Sequence, residues 1–197
     1  MKKIDRLKRI IRILMILLIV IIVVYVLMVV MPKKKNSSIE SVDKTKFGYT
    51  LAKRDSNLYK EVFNKLKEEL DEDIIDYDKY AEYISKLFII DLYTLNNKTH
   101  RNDVGGIQFV REDIKDNYKL NVSNTLYKYI KSEGTDIEVS KIDMNEINEI
   151  TYDISDKKYD GYEVKLIWEY KEDNDYDKEG TIILIKDNDQ LYIVEKK

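Results

Sequence analysis

The chain has 197 residues, 34 basic and 37 acidic, with one histidine and no cysteine. A disulfide framework, a thiolate metal centre and a Cys–His nucleophile pair are therefore excluded, and a lone histidine gives little basis for a zinc site. Beyond residue 35 the charge is 25 basic against 36 acidic groups, net −11, a poor match to a phosphate backbone, so nucleic acid is not expected as partner.

Residues 1–12 form a basic tail: Lys2, Lys3, Arg6, Lys8, Arg9 and Arg12 stand against Asp5 alone. From Ile13 to Met31 every residue is apolar apart from the phenol of Tyr25, and the run includes Leu18 and Val24. Nineteen residues as a helix reach about 28 Å, close to the ~30 Å hydrocarbon thickness of a bilayer. A cleaved signal does not fit, because Pro32-Lys33-Lys34-Lys35 stands where a small-residue cleavage site would be. The reading is a transmembrane anchor touching lipid through one span. Six basic residues before the run against three after it place the amino terminus in the cytoplasm and the rest of the chain outside. The short leading tail is too small to fold as a regulator's cytoplasmic domain.

Residues 32–50 are polar and aperiodic and read as a linker, leaving residues 51–197 as one extracytoplasmic domain. Asp55 or Ser56 caps a first helix whose apolar stripe is Leu58, Tyr59, Val62, Phe63, Leu66 and Leu70. Asp76 or Asp78 caps a second helix running to about Leu95, with Ile84, Leu87, Phe88, Leu92 and Leu95 on one stripe. Asp91 interrupts that stripe. A carboxylate among core residues needs a partner. One reading makes it a general base with His100, Tyr93 or Tyr127 nearby. The preferred one makes it a bracket accepting N–H bonds from "NDVGG", in the loop "NNKTHRNDVGG" that follows, or a tyrosine hydroxyl, and so fixing the turn. "IQFV" reads as a short strand, and "VSNTLYKYIKSEG" as a third helix stopped by Gly134.

From Ile137 the apolar period shifts to two. "EITYDI", "YEVKLIWEY", "GTIILIK" and "QLYIVEK" are four strands, the last two joined by "DND". Val164, Leu166, Trp168 and Tyr170 share one face; Glu163, Lys165 and Glu169 share the other. "KEDNDYDKEG" spaces Asp173, Asp175 and Asp177 like a calcium loop, but it has no glycine at the sixth position, and Leu184 replaces the final Glu; it reads as an acidic hairpin without a metal. There is no Walker, Rossmann or "GxSxG" motif.

About three helices followed by about four antiparallel strands make an α+β domain. With the tail, the span and the linker ahead of it, this layout resembles the nuclear-transport-factor-2-like superfamily. It is similar in particular to the bitopic assembly proteins of type IV secretion and Gram-positive conjugation channels. The segments carrying the likeness are "ISKLFIIDLYTLNNK", "NTLYKYI" and "YEVKLIWEY". The resemblance implies a cone of helices on a curved sheet, acting as a non-enzymatic scaffold that binds envelope proteins or itself, without cofactor or small molecule. The same fold hosts isomerases and ligand-binding proteins, which would use Asp91 in a pocket. The candidate binding residues are Asp91, Tyr83, Tyr93 and Trp168, and none is expected to be catalytic.

Overall fold

The computed structural model describes residue 15, residues 41–128, residue 130 and residues 136–197. The expected span, with Ile13, Leu18, Val24 and Met31, lies outside the described residues, as does Gly134. No helix among the described residues is long and apolar enough to cross a membrane. The unit from Ile39 to Lys197 is α+β, with three helices on a four-stranded antiparallel sheet.

The domain begins inside the segment read as linker. Strands β1 (Ser41–Lys44) and β2 (Thr50–Ala52) form an antiparallel hairpin, turned by hydrogen bonds between Thr45 and Tyr49 and by Gly48 at φ 91°. Tyr49 anchors it: its buried hydroxyl lies 2.8 Å from that of Tyr80 and donates to the Leu191 carbonyl at 3.0 Å. Strands of three and four residues carry no readable period, which is why the sequence looks like a linker there.

Helix α1 (Asn57–Asp71) starts where the Ser56 hydroxyl accepts the Tyr59 N–H. Helix α2 (Tyr77–Tyr93) starts at Asp76, whose carboxylate accepts from the N–H groups of Asp78 and Lys79. Buried Glu69 accepts the Asp76 N–H at 2.8 Å and ties the two helices at their shared turn. α2 buries Tyr80, Ala81, Ile84, Leu87, Ile89 and Leu92, so it is central rather than one-faced. It ends at Tyr93, two residues before the expected Leu95, because Leu95 and Asn96 donate to the Ile137 carbonyl at the sheet's edge.

Two local expectations are corrected. "IQFV" is a 3-10 turn (Ile107–Phe109), followed by a single parallel bridge from Val110 to Ile193. The third helix, α3, covers Lys115–Asn124, beginning seven residues before the expected Val122 and giving way to a turn at 125–128. Thr125 leaves helical geometry, and its hydroxyl bonds back to the Asn121 carbonyl at 2.7 Å. Tyr127 then turns inward, its hydroxyl donating to the Leu92 carbonyl at 2.8 Å. The helix-like spacing around Tyr127 marks an inward plug.

The sheet runs in the order β3 (Val139–Ile154), β4 (Lys157–Tyr170), β5 (Glu179–Asp187), β6 (Gln190–Lys196). Val164, Leu166, Trp168, Ile182, Leu184 and Ile193 face the helices and complete the core. On β4 the other face carries charge, as expected. On β5 it does not: Ile183 and Ile185 are 1% and 0% exposed yet lie outside that core. The β3–β4 ribbon lies on the side of the sheet toward β6. Beyond Gly161, where pairing with β5 stops, the two strands pair only with each other and turn at Ser155-Asp156. The ribbon reaches back across to β6, with Tyr152 donating to Glu195 at 3.1 Å and the Tyr159 ring 5.8 Å from the Arg111 guanidinium. At the bend only glycine fits, since a Cβ on Gly161 would lie 2.1 Å from the Leu184 carbonyl oxygen. The unbroken run Ile182-Ile183-Leu184-Ile185 is the sequence signal for a strand buried on both faces.

Candidate functional site

Asp91 sits in the last turn of α2, 19% exposed at the side chain. One carboxylate oxygen accepts the Gly106 N–H at 2.7 Å. The other is paired with the Lys98 ammonium, whose side chain is only 2% exposed. The loop between them is pressed onto the helix end: the Gly105 N–H donates to the Tyr127 hydroxyl at 3.2 Å and Tyr118 donates to the Gly105 carbonyl at 2.7 Å. A Cβ on Gly105 would lie 2.0 Å from the Asp91 carbonyl oxygen. Asp91 thus fixes the turn that follows it. Lys98, three residues beyond the apolar stripe in a polar loop, gave no sign of being buried.

A second ion pair supports the same loop. The Arg54 guanidinium grips Asp103 with two hydrogen bonds of 2.5 and 2.6 Å, and the Thr99 N–H adds a third to that carboxylate at 3.0 Å. Burial pushes the Asp103 carboxyl up, but Arg54, the Thr99 N–H and the nearby charges outweigh it and hold the pKa at about 2. Residues 54 and 103 lie far apart in sequence, so no local pattern marks the pair.

Between these brackets lies a cavity of about 150 Å³, lined by Arg54, Asp55, Tyr59, Asp91, Lys98 and Asp103 together with Thr50, Ala52 and Gln108. Gln108 closes one wall, accepting the Thr50 N–H at 2.8 Å and donating to the Tyr59 hydroxyl at 2.7 Å. The sequence marks Asp55 only as a candidate helix cap. Its carboxylate accepts the Ala52 N–H at 2.6 Å. Burial pushes its pKa above the ordinary value despite that bond, and the charge of Asp91 adds to the rise.

The remaining candidates lie elsewhere. Trp168 does not line this cavity. It packs on Tyr93 with ring centroids 5.3 Å apart and donates to the Tyr170 hydroxyl at 3.0 Å. Tyr93 donates to Asp177 at 2.8 Å, and burial followed by that neighbouring carboxylate pushes its pKa up. Tyr93, Trp168, Tyr170 and Tyr176 therefore form an aromatic cluster holding the acidic hairpin against α2. Within that hairpin Asp173 pairs with Lys178 and Asp177 with Lys196. Tyr83 is half-buried against the core and does not line the cavity. His100 is exposed, and its ring nitrogen accepts the Asn102 N–H at 3.2 Å. The structure brings together Tyr93 with Trp168, and Asp91 with Tyr127, but does not bring Asp91 into contact with Tyr83, His100 or Trp168.

No protein-family model, curated protein or solved structure matches the chain.

Proposed function

We propose that this protein is a single-pass membrane-anchored scaffold, non-catalytic, whose outer nuclear-transport-factor-2-like domain holds other proteins of a bacterial cell envelope, or further copies of itself. The carrying observation is the apolar run Ile13–Met31 between a strongly basic tail and a charged domain of net −11. The internal chemistry supports it. Both oxygens of Asp91 are committed to holding a loop, and the aromatic candidates are occupied in packing. A general base needs a free oxygen within reach of a substrate proton.

Because the chain has no cysteine, a single one introduced at exposed Asp189 reports its side of the membrane. Membrane-impermeant maleimide should label Asp189→Cys in intact cells; labelling only after lysis overturns the topology. A photoreactive residue replacing Tyr83 should capture a neighbouring envelope protein or a second copy equally well with and without Asp91→Asn. Absence of any crosslinked protein, together with a phenotype for a folded Asp91→Asn, would shift the reading to a ligand-binding or isomerase-like domain.

A further inference from the structure

The cavity beside Asp91 is unbalanced in charge. Two cations, Arg54 and Lys98, face three carboxylates, Asp55, Asp91 and Asp103. Arg54 is spent on Asp103 and Lys98 on Asp91. Among the described residues Asp55 has no ion pair. Its one hydrogen bond is to the Ala52 N–H, and that occupies a single oxygen. An unpaired carboxylate in a partly buried wall is costly, and a cation brought into the cavity relieves that cost. The second sign is in the acceptors. Beside Asp55 the wall carries the hydroxyl oxygens of Tyr59 and Thr50, and Tyr59 is 2% exposed. The cavity is therefore lined by oxygen atoms around an excess of one negative charge.

We propose that this cavity is a binding site for a primary ammonium group, with Asp55 as its counter-ion. This goes beyond the scaffold reading and departs from the expectation that no small molecule binds. A metal cation fits the lining less well. The carboxylates of Asp91 and Asp103 are already engaged by Lys98, Gly106, Arg54 and Thr99, and no group of three ligating side chains among the described residues is arranged to hold an ion. An ammonium needs only a few oxygen acceptors at hydrogen-bond distance, and the free oxygen of Asp55 and the oxygens of Tyr59 and Thr50 are the ones on offer. The volume of about 150 Å³ admits a short alkylammonium, and recognition rests on the N–H donors that a quaternary ammonium lacks. The group could arrive on a free amine or on a lysine side chain of a partner; the chemistry is the same.

The test is ligand-observed NMR on the full-length chain in detergent micelles, with butylammonium, the capped tripeptide N-acetyl-Gly-Lys-Gly-amide, tetramethylammonium and butyrate as probes. Butylammonium should bind, and tetramethylammonium and butyrate should not. Asp55→Asn, which keeps an acceptor for the Ala52 N–H, should weaken binding at least tenfold. Ala52→Leu, which fills the cavity without changing its charge, should abolish it and decides the matter if Asp55→Asn does not fold. Binding of the capped tripeptide as well as butylammonium assigns the site to a partner's lysine; binding of butylammonium alone assigns it to a free amine. No binding of butylammonium, or binding unchanged in both variants, overturns the proposal and leaves the cavity as a water site. Neither result depends on the membrane topology or on crosslinking at Tyr83, so the scaffold reading fails or stands separately.

Discussion

Helix α2 is held at its two ends by opposite kinds of polar chemistry. At the amino-terminal end the bracket is neutral: the hydroxyls of Tyr49 and Tyr80 bond to each other and to the carbonyl and N–H of Leu191, and Gln190 donates to Tyr49 at 3.2 Å. At the carboxy-terminal end it is charged, built from Asp91 with Lys98 and Arg54 with Asp103. Both ends pin the chain across long sequence separations. The neutral bracket has no charge of its own to balance. The charged bracket stands beside a cavity with, among the described residues, one carboxylate that has no ion pair. A fold that only needed rigidity could have used tyrosines twice, so the charged end is the one to probe for a further role.

The sharpest way to break the charged end is steric. Gly105→Ala puts a methyl 2.0 Å from a backbone oxygen, and a loss of more than about 4 kcal/mol is expected, read as failure to give a cooperative thermal transition. Asp91→Ala comes next. It strands a lysine whose side chain is 2% exposed, at about 3–5 kcal/mol in urea unfolding. A smaller loss in Asp91→Ala than in Tyr80→Phe would reverse the comparison.

The two ends should also fail at opposite pH extremes. The Asp103 carboxyl is held at about 2 against an ordinary 3.8, so its contribution is complete above pH 3.8 and is lost as pH falls toward 2. At 1.36 kcal/mol per unit this is about 2 kcal/mol of acid-linked stability, absent in Asp103→Asn. The Tyr49 phenol is pushed up to about 12 by burial, so its contribution persists below pH 10 and is lost between 10 and 12. Urea titrations across pH should show both limbs, with Tyr49→Phe reducing only the alkaline one, to which the other buried phenols, Tyr80 and Tyr127 among them, also contribute. The smallest effect is expected for Tyr80→Phe at neutral pH, about 1–2 kcal/mol for a lost buried hydrogen bond.

How much of this was legible depended on the range of each contact. Ser56 and Asp76 cap helices through hydrogen bonds to residues two or three positions on, and both are marked in the sequence. Asp91 stood out because an acid breaks an apolar stripe, and its bond to Gly106 lies within the loop read as its partner. The pairing of Arg54 with Asp103 left no trace, since an arginine and an aspartate 49 residues apart look like any two surface charges. The first hairpin was hidden because its strands are too short to show a period and its anchor, Tyr49, bonds to Leu191 across 142 residues.

The sequence by itself determined the apolar run at the amino terminus, the two long helices ahead of the four-stranded sheet, the starts of α1 and α2, the inward face of β4 and the need for a partner at Asp91. Each follows from short-range periodicity, from a cap a few residues away, or from one polar group placed among apolar ones. Only the tertiary structure decided that Lys98 is buried, that Tyr127 plugs the loop, that the β3–β4 ribbon reaches across to β6, and that Asp55 borders a cavity with no ion pair among the described residues. Those facts depend on which distant segments meet, and chain closure over many residues is paid for by the whole core rather than by any local pattern.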